Sequence, residues 1–574
     1  MNKNSFLRLP SFNCLPRWGV FLLDLLLCIV AYWISLWIIN SLYFMHSGQK
    51  LPINTALYLF AFLAFVLLFC LRAGVKLAYE SLYQKSHTTP KVLIFGVKST
   101  GPAIAKMLRS AGNSPYHPVG FIEEKDITKN YRLDGLPVFG LNGDLFEWMH
   151  QHNVQHIIVS PDLLKEINPA TDLNLFLEHN IHVLTTPYFT EFDQEPDPQK
   201  IGSINSIRIE DLLQRPAIRI NTDNVRHILH NKVVMVTGAA GSIGTELVHQ
   251  IVKYAPKAVI LFEQAESPLH DLLMDLHTAF PKQSFVPIVG DVRECSRVEE
   301  VFKEYRPDIV YHAAAYKHVP LMENHPNEAV RANILGTKNM ADMAVKYAAE
   351  RFIMISTDKA VNPTNIMGAS KRIAEIYVQS LFKHIVSDRP DCTKFITTRF
   401  GNVLGSNGSV IPFFKKQIAK GGPVTVTHPD ITRYFMTIPE ACCLVMEAST
   451  LGKGGEIFVF DMGQAVKILD LAKNMIRLAG YTPGEDIPIV FTGLRPGEKL
   501  YEELLNQKET TMPTTHSKIL IARVREFPFE QISQQIDHLI TTSRQNKPFI
   551  TVQEMKAIVP EYISKNSIYE QLDS

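Results

Sequence analysis

The chain has 574 residues, too many for one ordinary domain and enough for about three or four. Its 58 Lys and Arg nearly cancel its 57 Asp and Glu, which removes any bulk electrostatic case for a nucleic-acid partner. The cysteines (Cys14, Cys28, Cys70, Cys295, Cys392, Cys442 and Cys443) are odd in number and form no CxxC pair, so a reducing compartment is expected and a metal site is not.

In chain order, the first element is the run "WGVFLLDLLLCIVAYWISLWII" from Trp18 to Ile39, apolar except for Asp24. As a helix it would extend about 33 Å, enough for a bilayer core. A second run, Ile53 to Leu71, carries no charge. Together they predict a transmembrane helical hairpin, about 18–39 and 53–71, in a membrane region 1–80. Lys3, Arg8 and Arg17 precede the hairpin and Arg72, Lys76, Lys85 and Lys91 follow it, while the loop holds only Lys50 and His46. That asymmetry puts both ends in the cytoplasm and makes the lipid bilayer a partner. Asp24 would mark either a helix contact or a position near the interface.

The next stretch, 88–195, reads as a first Rossmann-like domain: "KVLIFG" is a buried strand, followed by a turn and the helix "VKSTGPAIAKML". A dinucleotide loop would place glycines at Gly96, at position 98 and at Gly101, but position 98 is Lys98, whose side chain obstructs a pyrophosphate. A regulatory or structural α/β domain that takes no part in catalysis is therefore expected. Residues 196–230 read as a polar linker.

Residues 231–520 carry the chemical motifs. "KVVMVTGAAGSIGTELVHQIV" gives a β-branched strand, the turn Gly238, Gly241, Ser242, Ile243 and Gly244, and an amphipathic helix whose N–H groups can hold a pyrophosphate. Glu263 ends the next strand, 19 residues beyond Gly244, where a carboxylate accepts from an adenosine ribose and favours NAD over NADP. Asp291 and Val292, in "FVPIVGDVRE", fall where an adenine amine would lie, and the small run Ala313, Ala314 and Ala315 lets the backbone pass under the cofactor. A further strand delivers "STDKAVNPTNIMGASKR" to the same sheet end. Here Lys371 is present, but Met367 stands four residues before it, where a short-chain dehydrogenase would offer a tyrosine. A thioether cannot move a proton.

"VTGAAGSIGTEL", "HAAAYKHVPLMENHPNEAVRANILGT", "STDKAVNPTNIMGASKR", "TRFGNVLGSNGSVIPFF" and "LRPGEKLYEEL" together resemble the membrane-bound nucleoside-diphosphate-sugar 4,6-dehydratases of bacterial polysaccharide and glycan synthesis. These are long members of the extended short-chain dehydrogenase group that act on UDP-N-acetylglucosamine. The resemblance is tight over about residues 200–520. It implies an α/β protein with two Rossmann-like doubly wound parallel-sheet domains, the second with a small C-terminal substrate-binding part. It also implies a multi-pass protein of the bacterial inner membrane with its catalytic domain in the cytoplasm, and a homo-oligomer is expected.

The reaction so implied oxidises C4 of the sugar, loses water across C5 and C6, and returns the hydride to C6. Asp358 would protonate the departing O6, and Lys359, made less basic by burial and by neighbouring positive charge, would take the C5 proton. Lys371 would bind the nicotinamide ribose, and Thr357, with a water or with Lys371 behind it, would serve O4. Met367 is then a trait of the family. Lys317, Asn402, Arg433, Arg495 and Glu498 fall where the family meets sugar and diphosphate. His312 and His318 are read as packing residues. A UDP-sugar 4-epimerase, or a non-catalytic nucleotide-sugar scaffold, is the competing reading. The tail 521–574 reads as helical and adds no chemical motif.

Overall fold

The computed structural model describes residues 28–38, 60–70, 89–97, 100–110, 114–123, 131–159, 181–185, 220–503 and 510–573, with isolated positions between them. Two compact units divide the chain, Met1–Pro90 with Ser114–His117, and Lys91–Asn113 with Pro118–Ser574.

In the first unit the helical stretches are 28–38 and 60–70. Each rises about 16 Å, near half of a roughly 30 Å hydrocarbon core. Among the described residues no helix is long and apolar enough to cross a membrane. The expected transmembrane hairpin is therefore overturned, and with it the multi-pass placement in a bacterial inner membrane. Tyr32 meets Phe60 edge-on, 6.1 Å between ring centroids. Asp24, the basic flanks before Lys91, the loop residues His46 and Lys50, and Lys98 lie outside the described residues.

The second unit contains two sheets of the expected α/β kind. In the first, the strand Lys91–Phe95 lies between His117–Glu123 and His156–Val159, within a sheet of seven strands among the described residues. Helices Gly101–Ser110 and Gly143–Gln151 accompany it, and Leu93, Phe95, Ile122, Leu145 and Phe176 share its core.

The second sheet has nine strands among the described residues. Its order is Phe285–Val289, Ala258–Glu263, Val233–Thr237, Ile309–His312, Arg351–Thr357, Lys394–Phe400, Glu456–Phe460, Ile519–Arg523 and Thr510–Pro513. Neighbours are parallel through Glu456–Phe460, and the last two strands are antiparallel. Continuous apolar segments such as "VVMVT" and "AVILFE" suit strands covered on both faces by helices. Chain order reverses between Val233–Thr237 and Ile309–His312, so a crevice opens there at the carboxyl ends of the strands.

Two additions complete this fold. The helix Thr222–Leu229 buries Val225 and Leu229 in the sheet's core, so the end of the linker segment packs with the domain. Helices Phe529–Ser543 and Pro548–Ile558 place Ile532, Ile536, Leu539, Val552 and Met555 in one core with Ile373 and Tyr377 of the long helix Ile366–Asp388. Three two-stranded sheets and the helices Val410–Ala419 and Ile468–Leu478 form a smaller lobe around Phe414, Phe435 and Leu471.

Candidate active site

The glycine turn is shaped by contact distance. Gly238 has φ +63°, and a Cβ there would lie 2.9 Å from the backbone of Ala314. A Cβ on Gly244 would lie 2.1 Å from the Gly238 carbonyl oxygen. Strand, helix and the Ala313–Ala315 passage meet this closely only without side chains. The helix Ser242–Val252 has Gly241 as its N-cap and no side-chain capping bond, which leaves its first N–H groups open to a ligand. A cavity of about 720 Å³ begins at Gly238, Gly241, Ser242, Ile243 and Gly244, passes Ala313 and Ala315, and reaches Thr357, Met367 and Lys371.

Three further cofactor candidates, Glu263, Asp291 and Val292, are engaged within the protein. The Glu263 carboxylate accepts from the backbone N–H groups of Ala240 at 3.2 Å, Gln264 at 2.9 Å and Ala265 at 3.1 Å, bracing the glycine turn from the neighbouring strand. Asp291 pairs with Arg293, 2.6 Å from its guanidinium, and accepts from the Arg293 backbone at 2.9 Å. Burial would raise the Asp291 pKa, but the bonds from Arg293 outweigh it and lower it. Val292 is buried. None of the three is among the residues lining the cavity.

His312 is held between Thr237 Oγ1 at 2.8 Å and Thr337 Oγ1 at 3.0 Å. Burial, with the Lys371 charge adding, lowers its pKa to about 3, so it is a neutral packing residue. His318 lines the cavity beside Gly408. A π-helical turn, Val330–Leu335, presents Asn333, whose side chain bonds Tyr316 N at 2.8 Å, Tyr316 O at 3.0 Å and Ser370 Oγ at 2.9 Å. This ties the loop after Ala315 to the helix that carries Lys371.

Asp358 and Lys359 form a short 3-10 turn at the carboxyl end of Arg351–Thr357. Asp358 is buried; its Oδ1 lies 2.9 Å from Thr357 Oγ1 and 3.0 Å from Lys359 Nζ, and its Oδ2 has no hydrogen-bond partner. Burial, reinforced by the Glu502 charge, raises the Asp358 pKa against the pull of Lys359. Lys359 Nζ also reaches Asn402 Oδ1 at 3.2 Å and Glu502 Oε1 at 3.3 Å. Burial would lower its pKa, but the carboxylates of Asp358 and Glu502 raise it overall. The expected less basic lysine beside positive charge is thus corrected: its nearest charges are negative, and it rests as an ammonium.

Lys371 stands one helical turn after Met367, and both line the cavity. The Lys371 amine is buried without a hydrogen-bond partner, and burial lowers its pKa to about 8. An unpaired amine at the end of a cavity that starts at a glycine cradle fits the ribose hydroxyls of a dinucleotide.

A second cavity, of about 320 Å³, shares Lys317, His318, Lys359, Asn402 and Gly408 with the first, and is lined further by Arg433, Arg495, Glu498 and Glu502. Burial lowers the Lys317 pKa. Arg433 is fully engaged, with Thr432 O at 2.8 Å, Leu500 O at 3.3 Å, Glu498 Oε1 at 3.1 Å and Glu502 Oε1 at 3.5 Å. Glu498 also accepts from the Arg495 backbone at 3.1 Å. Arg495 is exposed, so of the two guanidinium groups it is the one placed to meet a phosphate.

The polysaccharide biosynthesis protein model matches residues 234–524, and a CoA-binding domain model matches 20–187. The chain is 44% identical over 445 residues to the probable polysaccharide biosynthesis protein EpsC of Bacillus subtilis (strain 168), covering 77% of this chain and 73% of that one. It belongs to the polysaccharide biosynthesis protein family. It is also 42% identical over 465 residues to the capsular polysaccharide biosynthesis protein CapD of Staphylococcus aureus, covering 79% of this chain and 75% of that one. With a UDP-glucose 4-epimerase of Rickettsia canadensis (strain McKiel) it shares 35% identity over 284 residues, 49% of this chain and 79% of that one.

The sequence analysis singles out Glu498 and passes over Glu502, which follows in the same loop. It also missed the buried pair Glu375 and Arg399 behind Thr357. Charged residues at Arg372, Glu375 and Arg399 inside otherwise apolar segments were the available signal.

Proposed function

We propose that the chain is a nucleotide-sugar 4,6-dehydratase, a lyase that uses NAD to convert UDP-N-acetylglucosamine into a UDP-4-keto-6-deoxy-N-acetylhexosamine. The observation that carries this reading is the acid and amine pair of Asp358 and Lys359, with Lys359 lining both cavities and Lys371 unpaired in the larger one. NAD, when bound, would supply the hydride acceptor and donor that oxidation at C4 and reduction at C6 require.

The chain's own groups would do the rest. The glycine turn and the open N-terminus of Ser242–Val252 would hold the pyrophosphate, and Lys371 would bond the nicotinamide ribose. Asp358, its pKa raised by burial, would give its proton to O6 as water leaves. Lys359 would first give up its proton to solvent and then take the one from C5. Thr357, through a water or Lys371, would accept the O4 proton. Met367 would pack against the sugar in place of an acid. Lys317, Asn402, Arg495 and Glu498 would hold sugar and diphosphate, with Arg433 fixing Glu498. The first α/β domain would take no part in the chemistry.

A 4-epimerase is the second reading, favoured by the identity to the Rickettsia epimerase. It would leave the tyrosine position of that chemistry filled by Met367. Incubation with UDP-N-acetylglucosamine separates the readings: a 4-keto-6-deoxy product supports the dehydratase, UDP-N-acetylgalactosamine the epimerase, and binding without turnover a scaffold.

A further inference from the structure

The smaller cavity contains a carboxylate that the proposed chemistry does not yet use. Glu502 is 8% exposed, and its Oε2 has no hydrogen-bond partner. Its Oε1 lies 3.3 Å from Lys359 Nζ and 3.5 Å from Arg433 Nε. A buried carboxylate with one unsatisfied oxygen is costly, and Arg433 already has Glu498 and two carbonyls, so pairing with Arg433 alone accounts poorly for it. The charged groups facing this cluster are Asp358 and Lys359 from the strand end, Arg433 from the small lobe, and Lys499 from the same loop as Glu502.

We propose that Glu502 is a positioning residue for the acid and amine pair: a second carboxylate that holds Lys359, so that Asp358 can keep its proton for O6. The proposal rests on the dehydratase reading for its use, though the contact itself does not. With Glu502 neutralised, Asp358 becomes the main counter-ion of Lys359 and gives up its proton more readily, while Lys359 loses part of what keeps it an ammonium. Both groups then release protons at lower pH, whichever does so first.

The test is the pH dependence of turnover in wild type, Glu502→Gln and Glu502→Asp. In Glu502→Gln both limbs are expected to move acidward by about one unit or more, as for loss of a charge within bonding distance. Glu502→Asp, which keeps the charge, should hold the wild-type limbs with a lower maximum. Limbs unmoved in Glu502→Gln would overturn the proposal, since a merely structural residue lowers only the height. Competitive acetylation followed by mass spectrometry reads the same contact without turnover: in wild type Lys359 should titrate above the ordinary lysine range. If Glu502→Gln does not fold, that measurement decides alone, and Lys359 titrating within or below the ordinary range defeats the proposal. A wild type that makes no 4-keto-6-deoxy product sinks the dehydratase reading but leaves the acetylation result to stand or fall by itself.

Discussion

Arg399 meets Glu375 through two hydrogen bonds, Nε to Oε1 at 2.8 Å and NH2 to Oε2 at 2.6 Å, with both side chains buried. Ser356 Oγ adds a bond of 2.7 Å to Oε1 and Arg372 one of 3.1 Å to Oε2. The cluster ties the strand that ends at Thr357 to the helix that carries Met367 and Lys371. Arg399→Met would leave the buried Glu375 charge to Arg372 alone, and a loss of about 3–5 kcal/mol is expected in denaturant titration. Burial raises the Glu375 pKa but the guanidinium groups outweigh it, so it is lowered overall. Its stabilising share is therefore present above the ordinary carboxylate range and is lost as pH falls through the lowered value. The acid-unfolding curve of Glu375→Gln should lack that contribution.

Lys371 carries the opposite balance. Its pKa of about 8 means that the folded state disfavours the charged amine. Between that pH and the ordinary lysine value the unfolded chain holds a proton that the folded chain does not, so this group's contribution to stability rises with pH across the window. Lys371→Met should raise the melting temperature of the ligand-free protein at neutral pH, with the gain shrinking as pH climbs above 8. Its turnover and NAD affinity should both fall. An equally stable or less stable variant at neutral pH would show that the buried amine is not a strained group.

Asp358→Asn and Lys359→Ala should each lower kcat by about a hundredfold to ten-thousandfold while NAD remains bound, because each removes one proton-transfer group and leaves the glycine cradle intact. Retained NAD, measured by release on denaturation, separates lost chemistry from lost binding.

The segment 563–567 braces the loops beside the smaller cavity. Ile563 N bonds Pro363 O at 3.1 Å, Lys565 N bonds Thr364 O at 3.2 Å, and Lys565 O accepts from Gly497 N at 2.6 Å. Ser567 Oγ lies 2.6 Å from the buried Glu323, whose other oxygen accepts from Ile366 N. Ser567→Ala should lower stability by about 1–3 kcal/mol by leaving Glu323 short of a donor. Its effect on the Michaelis constant for the nucleotide sugar should exceed that on NAD binding, since Gly497 lines the smaller cavity.

The glycine turn and the parallel strands were legible because their causes are local: Gly238 needs its positive φ where it stands, and "VVMVT" is apolar throughout because both its faces are covered. Asp358 and Lys359 were legible for the same reason, as neighbours at one strand end. Glu502 was not, since its partner Lys359 comes from a distant part of the chain and only the folding of the small lobe brings them together. The basicity of Lys359 was misjudged for want of that contact. The bonds that Glu263 accepts from the backbone N–H of Ala240 in the glycine turn, and from those of Gln264 and Ala265 after its own strand, were likewise not legible, since they depend on how neighbouring strands end. The runs around Trp33 and Phe62 read as spans because hydropathy registers composition over a window, whereas among the described residues no helix is long and apolar enough to cross a membrane.

The most direct test of the acid and amine pair is deuterium uptake at C5 during turnover of UDP-N-acetylglucosamine in deuterated water, comparing wild type with Lys359→Ala. Wild type should yield a 4-keto-6-deoxy product labelled at C5, and Lys359→Ala should yield almost none. Product labelled at the wild-type rate in Lys359→Ala, or a wild type that leaves the sugar's water in place, would contradict the account.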